Sequence, residues 1–351
     1  MGQQIDNIQL YNDWGDYVSE DKEYDITDLT EGIDEYAIRT DYPGLPCYPV
    51  TVGELIKGDG KSYRIEHKLG HGAFSTTWLA LEVEANTSVA LKIHRTLTTA
   101  GQTEGRIHQE LRKSIPDPDI NDRNVMLGLI TDALDQRKTP SERYKQVGRP
   151  QKFALPSCDF GWKAGDLVAP IEWPSSMVAK TAFLSDFGST RRAGSAVVDY
   201  CLPPRECCPP ELFHKGFEPT YESDMWGFMC VFATLMTGSS PFSGWSESGT
   251  LGCIYNLLGP LPQEWEGLYK WPEEYADEER RKWYGQPARQ EGSLEDYLDR
   301  CREDLVGSRE RELILDLMRK GFRYKPSQRI TAQQFMDDKS FLELMSIHGM
   351  E

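Results

Sequence analysis

The pattern of apolar and polar positions changes character along the chain. Tyr63-Arg64-Ile65-Glu66-His67-Lys68-Leu69 and Thr76-Thr77-Trp78-Leu79-Ala80-Leu81 are β-rich runs joined by closely spaced glycines, which predicts a hairpin. Val89-Ala90-Leu91-Lys92-Ile93 follows at the spacing of the next strand, and Thr181-Ala182-Phe183-Leu184-Ser185 reads as another short one. Beyond residue 220 the pattern is helical. Residues 223–236 are apolar almost all round, as in a buried helix, with Thr237-Gly238 as its stop and Pro241-Phe242 opening a new turn. A last helical region runs from Leu313-Ile314-Leu315 towards Arg329-Ile330-Thr331-Ala332.

Two stretches break this pattern. Residues 1–44 hold 12 Asp or Glu against Lys22 and Arg39 with no sustained period, so a flexible acidic arm is expected. The 61 residues between Asn124 and Asp186 far exceed what joins two strands. Pro140, Gly148, Pro150, Pro156 and Pro174 punctuate them, and Arg137, Lys138, Arg143, Lys145, Arg149 and Lys152 cluster there. This reads as an inserted loop over about residues 128–180.

Composition narrows the choice. At 351 residues the chain can bury the cores of two lobes. It has no run of 18 apolar residues and its first residues are acidic, so a cytoplasmic or nuclear protein away from membranes is expected. The eight cysteines lack paired zinc spacing, and the adjacent Cys207 and Cys208 cannot easily bridge each other, which predicts reduced thiols. A formal charge of -17 disfavours direct nucleic-acid binding and suits a basic partner.

The candidate chemistry lies at the element ends. Backbone at Gly70-His71-Gly72-Ala73-Phe74-Ser75 can lie over phosphates because glycine leaves the approach open. Lys92, a lone cation in an apolar strand, needs anionic partners: phosphates, and a Glu on the following helix, Glu104 or in reserve Glu110. In Asp119-Ile120-Asn121-Asp122-Arg123-Asn124, an Asp able to take a hydroxyl proton precedes by five positions an Asn able to hold magnesium. Two Asp-Phe-Gly triplets compete. Asp159 follows Pro156, which interrupts any strand, whereas Asp186 follows an apolar strand and is preferred as metal ligand.

Together with Pro209-Pro210-Glu211 and Asp224-Met225-Trp226-Gly227, these residues resemble the eukaryotic protein kinase family, and more closely its SR-protein kinase branch in the fungal form. Four features resemble that branch: Tyr42-Pro43-Gly44 with Tyr48-Pro49-Val50 and Gly53, the glycine loop with Ser75 in third position, the long spacer before Asp186, and Leu257-Leu258-Gly259-Pro260-Leu261-Pro262. The resemblance covers roughly residues 42–345. It implies an α+β, bilobal kinase-like fold: an incomplete β-rich N-lobe over 45–118 and a mostly helical C-lobe over 119–345 that carries the insert. It also implies ATP and Mg2+ as cofactors, nucleotide contacts from Leu69, Gly70, His71, Gly72, Ala73, Phe74, Ser75, Thr76, Thr77 and Lys92, and Glu104 as the partner of Lys92. Asp119 would be the catalytic base, and Asn124 and Asp186 the metal ligands. Glu211, Asp224 and Arg329 would be structural, with Glu211 paired to Arg329 and Asp224 holding amides of the catalytic loop. A monomer phosphorylating a basic Arg/Ser-rich protein is expected, docked on the acidic stretch 263–304 beside Trp265, Trp271 and Trp283.

The departures from the family pattern are specific. Asp117, Pro118 and Asn121 replace the usual His, Arg and Lys, Cys207-Cys208 replaces Tyr-Arg, and only 14 residues separate Glu104 from Asp119, where the family places two strands, a hinge and two helices. This keeps open a second function, a catalytically impaired protein-binding module. A small-molecule kinase of the aminoglycoside phosphotransferase type is disfavoured by Pro209-Pro210-Glu211 and the 257–262 stretch.

Overall fold

In a computed structural model, the described residues are 16–17, 50–58, 60–72, 75–94, 124–130, 140–153, 167–186, 190, 203–270, 283–285 and 292–350. The chain forms two compact units, one of Met1–Thr103 with Leu127–Ala182, the other of Glu104–Met126 with Phe183–Glu351. The described part of the first is dominated by strands and that of the second by helices, as expected for an α+β chain.

The first unit is built on an antiparallel sheet of order β2-β3-β4-β5, with β2 Leu55–Gly58, β3 Lys61–Gly72, β4 Ser75–Glu82 and β5 Thr87–His94. Directly opposed residues share a face. Ile65 opposes Ala80, and Trp78 opposes Leu91; these side chains join Val50, Val52 and the fully buried Val168 in one core. Register shifts between Ile65 and His67 and between Lys68 and Gly70 interrupt the alternation of β3.

Val168 comes from the insert, and the insert is not part of the helical unit as expected. Its described elements are helix α1, Pro140–Val147, and strands β7, Gln151–Phe153, and β8, Leu167–Val168; β7 lies between β8 and β1, Asp16–Tyr17. The reason is buried chemistry. Arg143 and Arg64 both bond the Glu66 carboxylate, Tyr144 donates to Glu66 O at 3.2 Å, and Ile171 N donates to Lys68 O at 2.8 Å. Burial pushes the Tyr144 hydroxyl well above its ordinary range. β6, Val125–Leu129, and β9, Val178–Leu184, pair with each other on either side of the insert.

The second unit wraps α2, Tyr221–Thr237, whose Met225, Trp226, Met229, Cys230 and Phe232 are all buried. Thr220 and Ser223 cap its start, and Gly238 ends it at φ 75°, a left-handed conformation that glycine adopts without strain. Around it stand α3 Glu247–Leu258, α4 Leu294–Cys301, α5 Arg309–Gly321, α6 Ala332–Met336 and α7 Lys339–Ile347. Gly321 lets α5 approach α2, since a Cβ there would sit 2.3 Å from Met229 Cγ. Trp226 stacks on Phe242 at 5.1 Å, and Phe322 meets both edge-on. The described Cys207, Cys208, Cys230, Cys253 and Cys301 are free thiols. Trp265 is buried and Trp283 packs against the core, contrary to the exposed docking aromatics expected; Trp271 lies outside the described residues. Among the described residues no helix is long and apolar enough to cross a membrane.

His214 shows how tightly this core is specified. Its Nδ1 donates to Pro210 O at 2.7 Å, which leaves Nε2 of the neutral ring to accept from Tyr284 Oη at 2.8 Å. Burial pulls its pKa down to about 4, outweighing the bond to Pro210, which raises it. The unfolded chain therefore takes up this proton at higher pH than the folded one. Stability is fully present above about pH 6.5 and is lost as pH falls towards 4, by on the order of 2 kcal/mol between pH 7 and 5. Urea unfolding at the two pH values should show this loss, and His214→Gln should reduce it.

Candidate active site

The residues expected at the active site fall in both units. In the first, Gly70, Thr77 and Lys92 lie in register across β3, β4 and β5, on the face opposite the Trp78 core. Leu79 opposes Ala90 one step along, and Ala90 is exposed. A Cβ at Gly70 would meet nothing within 4 Å, so this face has room beside its backbone. Leu69 is half-buried, Ser75 and Thr76 are buried, and Trp78 Nε1 donates to Thr76 Oγ1 at 3.0 Å. The neighbouring His67 is held neutral, its pKa lowered to about 4 by burial. His71 and Gly72 continue strand β3, whereas Ala73, Phe74, Glu104 and Asp119 lie outside the described residues.

In the second unit, Ser185 ties the two candidate metal ligands together. Its backbone N and its Oγ both donate to Asn124 O, at 2.7 and 3.0 Å, which sets Asn124 beside the residue preceding Asp186. Asp186 has φ 58°. A non-glycine residue held there stores strain of the kind that clusters at functional sites. Asp159 lies outside the described residues. A carboxylate and an amide oxygen are hard donors that fit magnesium, which keeps waters and phosphate oxygens as its other ligands. Among the described residues no group of three or more His, Cys, Asp or Glu could hold a metal ion instead.

The structural residues meet. Arg329 Nη2 lies 2.5 Å from Glu211 Oε2, with side-chain exposures of 0% and 1%. All five guanidinium N–H groups find acceptors: both Glu211 oxygens, Glu222 O, Tyr324 O and Arg323 O. Trp226 lies under the guanidinium at 5.0 Å, and Ser223 Oγ donates to Glu211 Oε1 at 3.1 Å. Lysine, with three donors and no plane, could not replace this arginine. Asp224 stands in the first turn of α2, but the catalytic-loop amides assigned to it lie outside the described residues. Cys207 and Cys208 are buried in the core where the resemblance expects Tyr-Arg. The sequence reading missed Ser185 and Ser223; a small hydroxyl one residue before a strained Asp, or one turn into a capped helix, was the signal.

The family model of the protein kinase domain matches residues 177–341. The chain carries a protein kinase domain. That segment includes Asp186, Glu211, Asp224 and Arg329, while Lys92 and Asn124 precede it. Among similar proteins, cyclin-dependent kinase B2-1 of Oryza sativa subsp. japonica is 32% identical over 133 residues, covering 38% of this chain and 35% of its own length. Serine/threonine-protein kinase ppk5 of Schizosaccharomyces pombe is 40% identical over 79 residues, 22% of this chain and 9% of its own. SRSF protein kinase 3 of Mus musculus is 37% identical over 89 residues, 24% and 15% respectively. The chain thus spans about a third of the first relative's length and less of the other two.

Removing either member of the buried pair strands the other charge. Arg329→Met and Glu211→Gln should each lower the unfolding free energy by about 3–5 kcal/mol, and in denaturant titrations the double variant should lose less than the sum of the two. Strictly additive losses would mean that the groups do not act as a pair.

Proposed function

We propose that this chain is an ATP-dependent protein serine/threonine kinase of the SR-protein kinase type, acting as a cytoplasmic or nuclear monomer on basic Arg/Ser-rich proteins. The observation that carries the reading is the double hydrogen bond from Ser185 to Asn124 O beside a left-handed Asp186, which joins an amide and a carboxylate oxygen at one place. In this reading the glycine hairpin covers the phosphates with backbone N–H groups, Lys92 neutralises them, and Asp119 accepts the proton of the attacking hydroxyl. Magnesium held by Asp186 and Asn124 would offset the charge on the phosphate oxygens. The 14 residues between Glu104 and Asp119 favour a second reading, a protein-binding module with little or no phosphotransfer.

Without a hinge to bond adenine, nucleotide should bind weakly, need magnesium, and discriminate poorly between bases. A lost apolar slot with its hydrogen bonds is worth about 3–5 kcal/mol, two to four decades in affinity. Titration with ATP and GTP, with and without magnesium, tests this on the chain, on Asp186→Asn and on Lys92→Met. Asp186→Asn should abolish the magnesium-dependent part of binding and any phosphotransfer to an Arg/Ser peptide. Binding that is indifferent both to magnesium and to Asp186→Asn would refute the kinase reading.

A further inference from the structure

Trp245 is fully exposed, at 100%; the next most exposed large apolar residue among those described is Leu235, at 73%. Tryptophan is rarely left in water, and slack in the loop does not account for it. Arg205 Nη1 donates to Trp245 O at 2.6 Å, and Cys253 Sγ donates to Ser243 O at 3.0 Å. Gly244 is wedged against α3: a Cβ there would sit 2.2 Å from Thr250 N and 2.5 Å from Gly249 C. Ser246 then caps α3 by accepting from Gly249 N at 3.1 Å. The backbone on both sides of Trp245 is thus fixed, and its indole is held out in water by a preorganised loop.

The charge near this loop has a direction. Glu247 follows two residues after Trp245 and is exposed, and Glu206 adjoins the arginine that bonds the Trp245 carbonyl. Among the described residues neither carboxylate makes an ion pair, while Arg205 commits Nη1 to a carbonyl. An open indole face near carboxylates suits a cation, and a planar, weakly hydrated guanidinium suits it better than an ammonium, because it can stack on the ring while its edge donates hydrogen bonds.

We infer that Trp245 is the docking surface for an arginine side chain of the basic protein substrate. The inference rests on the kinase reading above and names the residue that makes the chain prefer arginine to lysine. A single exposed contact of this kind is worth roughly tenfold in affinity.

Fluorescence-anisotropy titrations of the full chain with a labelled Arg/Ser-repeat peptide, and with the same peptide carrying lysine for arginine, test it. Trp245→Ala should loosen the arginine peptide about tenfold and the lysine peptide much less, so that the preference collapses. Trp245→Phe should restore part of it. Thermal unfolding should not move in either variant, because the indole is wholly in solvent. If Trp245→Ala binds the arginine peptide as tightly as the unaltered chain, or weakens both peptides equally, the assignment to Trp245 is overturned while the substrate reading stands. If the unaltered chain binds neither peptide, both fall.

Discussion

A guanidinium with no exposed surface must find an acceptor for every N–H, and the way Arg329 does so dictates the course of three separate segments of the helical unit. The Glu211 carboxylate arrives on the turn Pro210–Phe213, Glu222 O on the first turn of α2, and Arg323 O and Tyr324 O on the chain leaving α5. Few other arrangements of those segments satisfy all five donors and leave Trp226 under the plane. The Coulombic attraction itself is largely offset by desolvation. What the pair supplies is specificity, because any displacement of one segment leaves a buried charge without partners.

The first unit meets its own constraint differently. Its sheet needs cover for Ile65, Trp78 and Ala80, and part of that cover comes from Val168 of the insert. Arg143 makes the arrangement selective: Glu66 is buried at 2% exposure and can be so only with cations beside it, of which Arg64 is local and Arg143 comes from 77 residues further along. A segment rich in proline and cations is therefore part of the small core.

These cases show where the sequence was legible. The all-round apolar run of α2, its glycine stop and the Glu211–Arg329 pair could be read because each follows from one-dimensional rules: period, left-handed preference, and the cost of an unpaired buried charge. The preference for Asp186 over Asp159 rested on the strand before it, and β9 forms there. The role of the insert was not legible, because its cations looked like a solvated loop and the bulge that turns Glu66 inward has no signature in alternation. Trp265 looked like a docking aromatic beside many acids. It is instead packed against His214 and Phe217, a contact that only the fold creates.

Native-state hydrogen exchange on the whole chain measures most directly whether the buried pair unites the helical unit. The amides of Leu212, His214, Arg329 and Ile330 are bonded within short turns and to the end of α5, positions that would fray early if nothing held them. If Arg329 and Glu211 lock these turns to α2, their amides will open with the same free energy as Met229 and Cys230 at the middle of that helix. Exchange of the turn amides orders of magnitude faster than that of α2 would contradict it, leaving the ion pair a local contact.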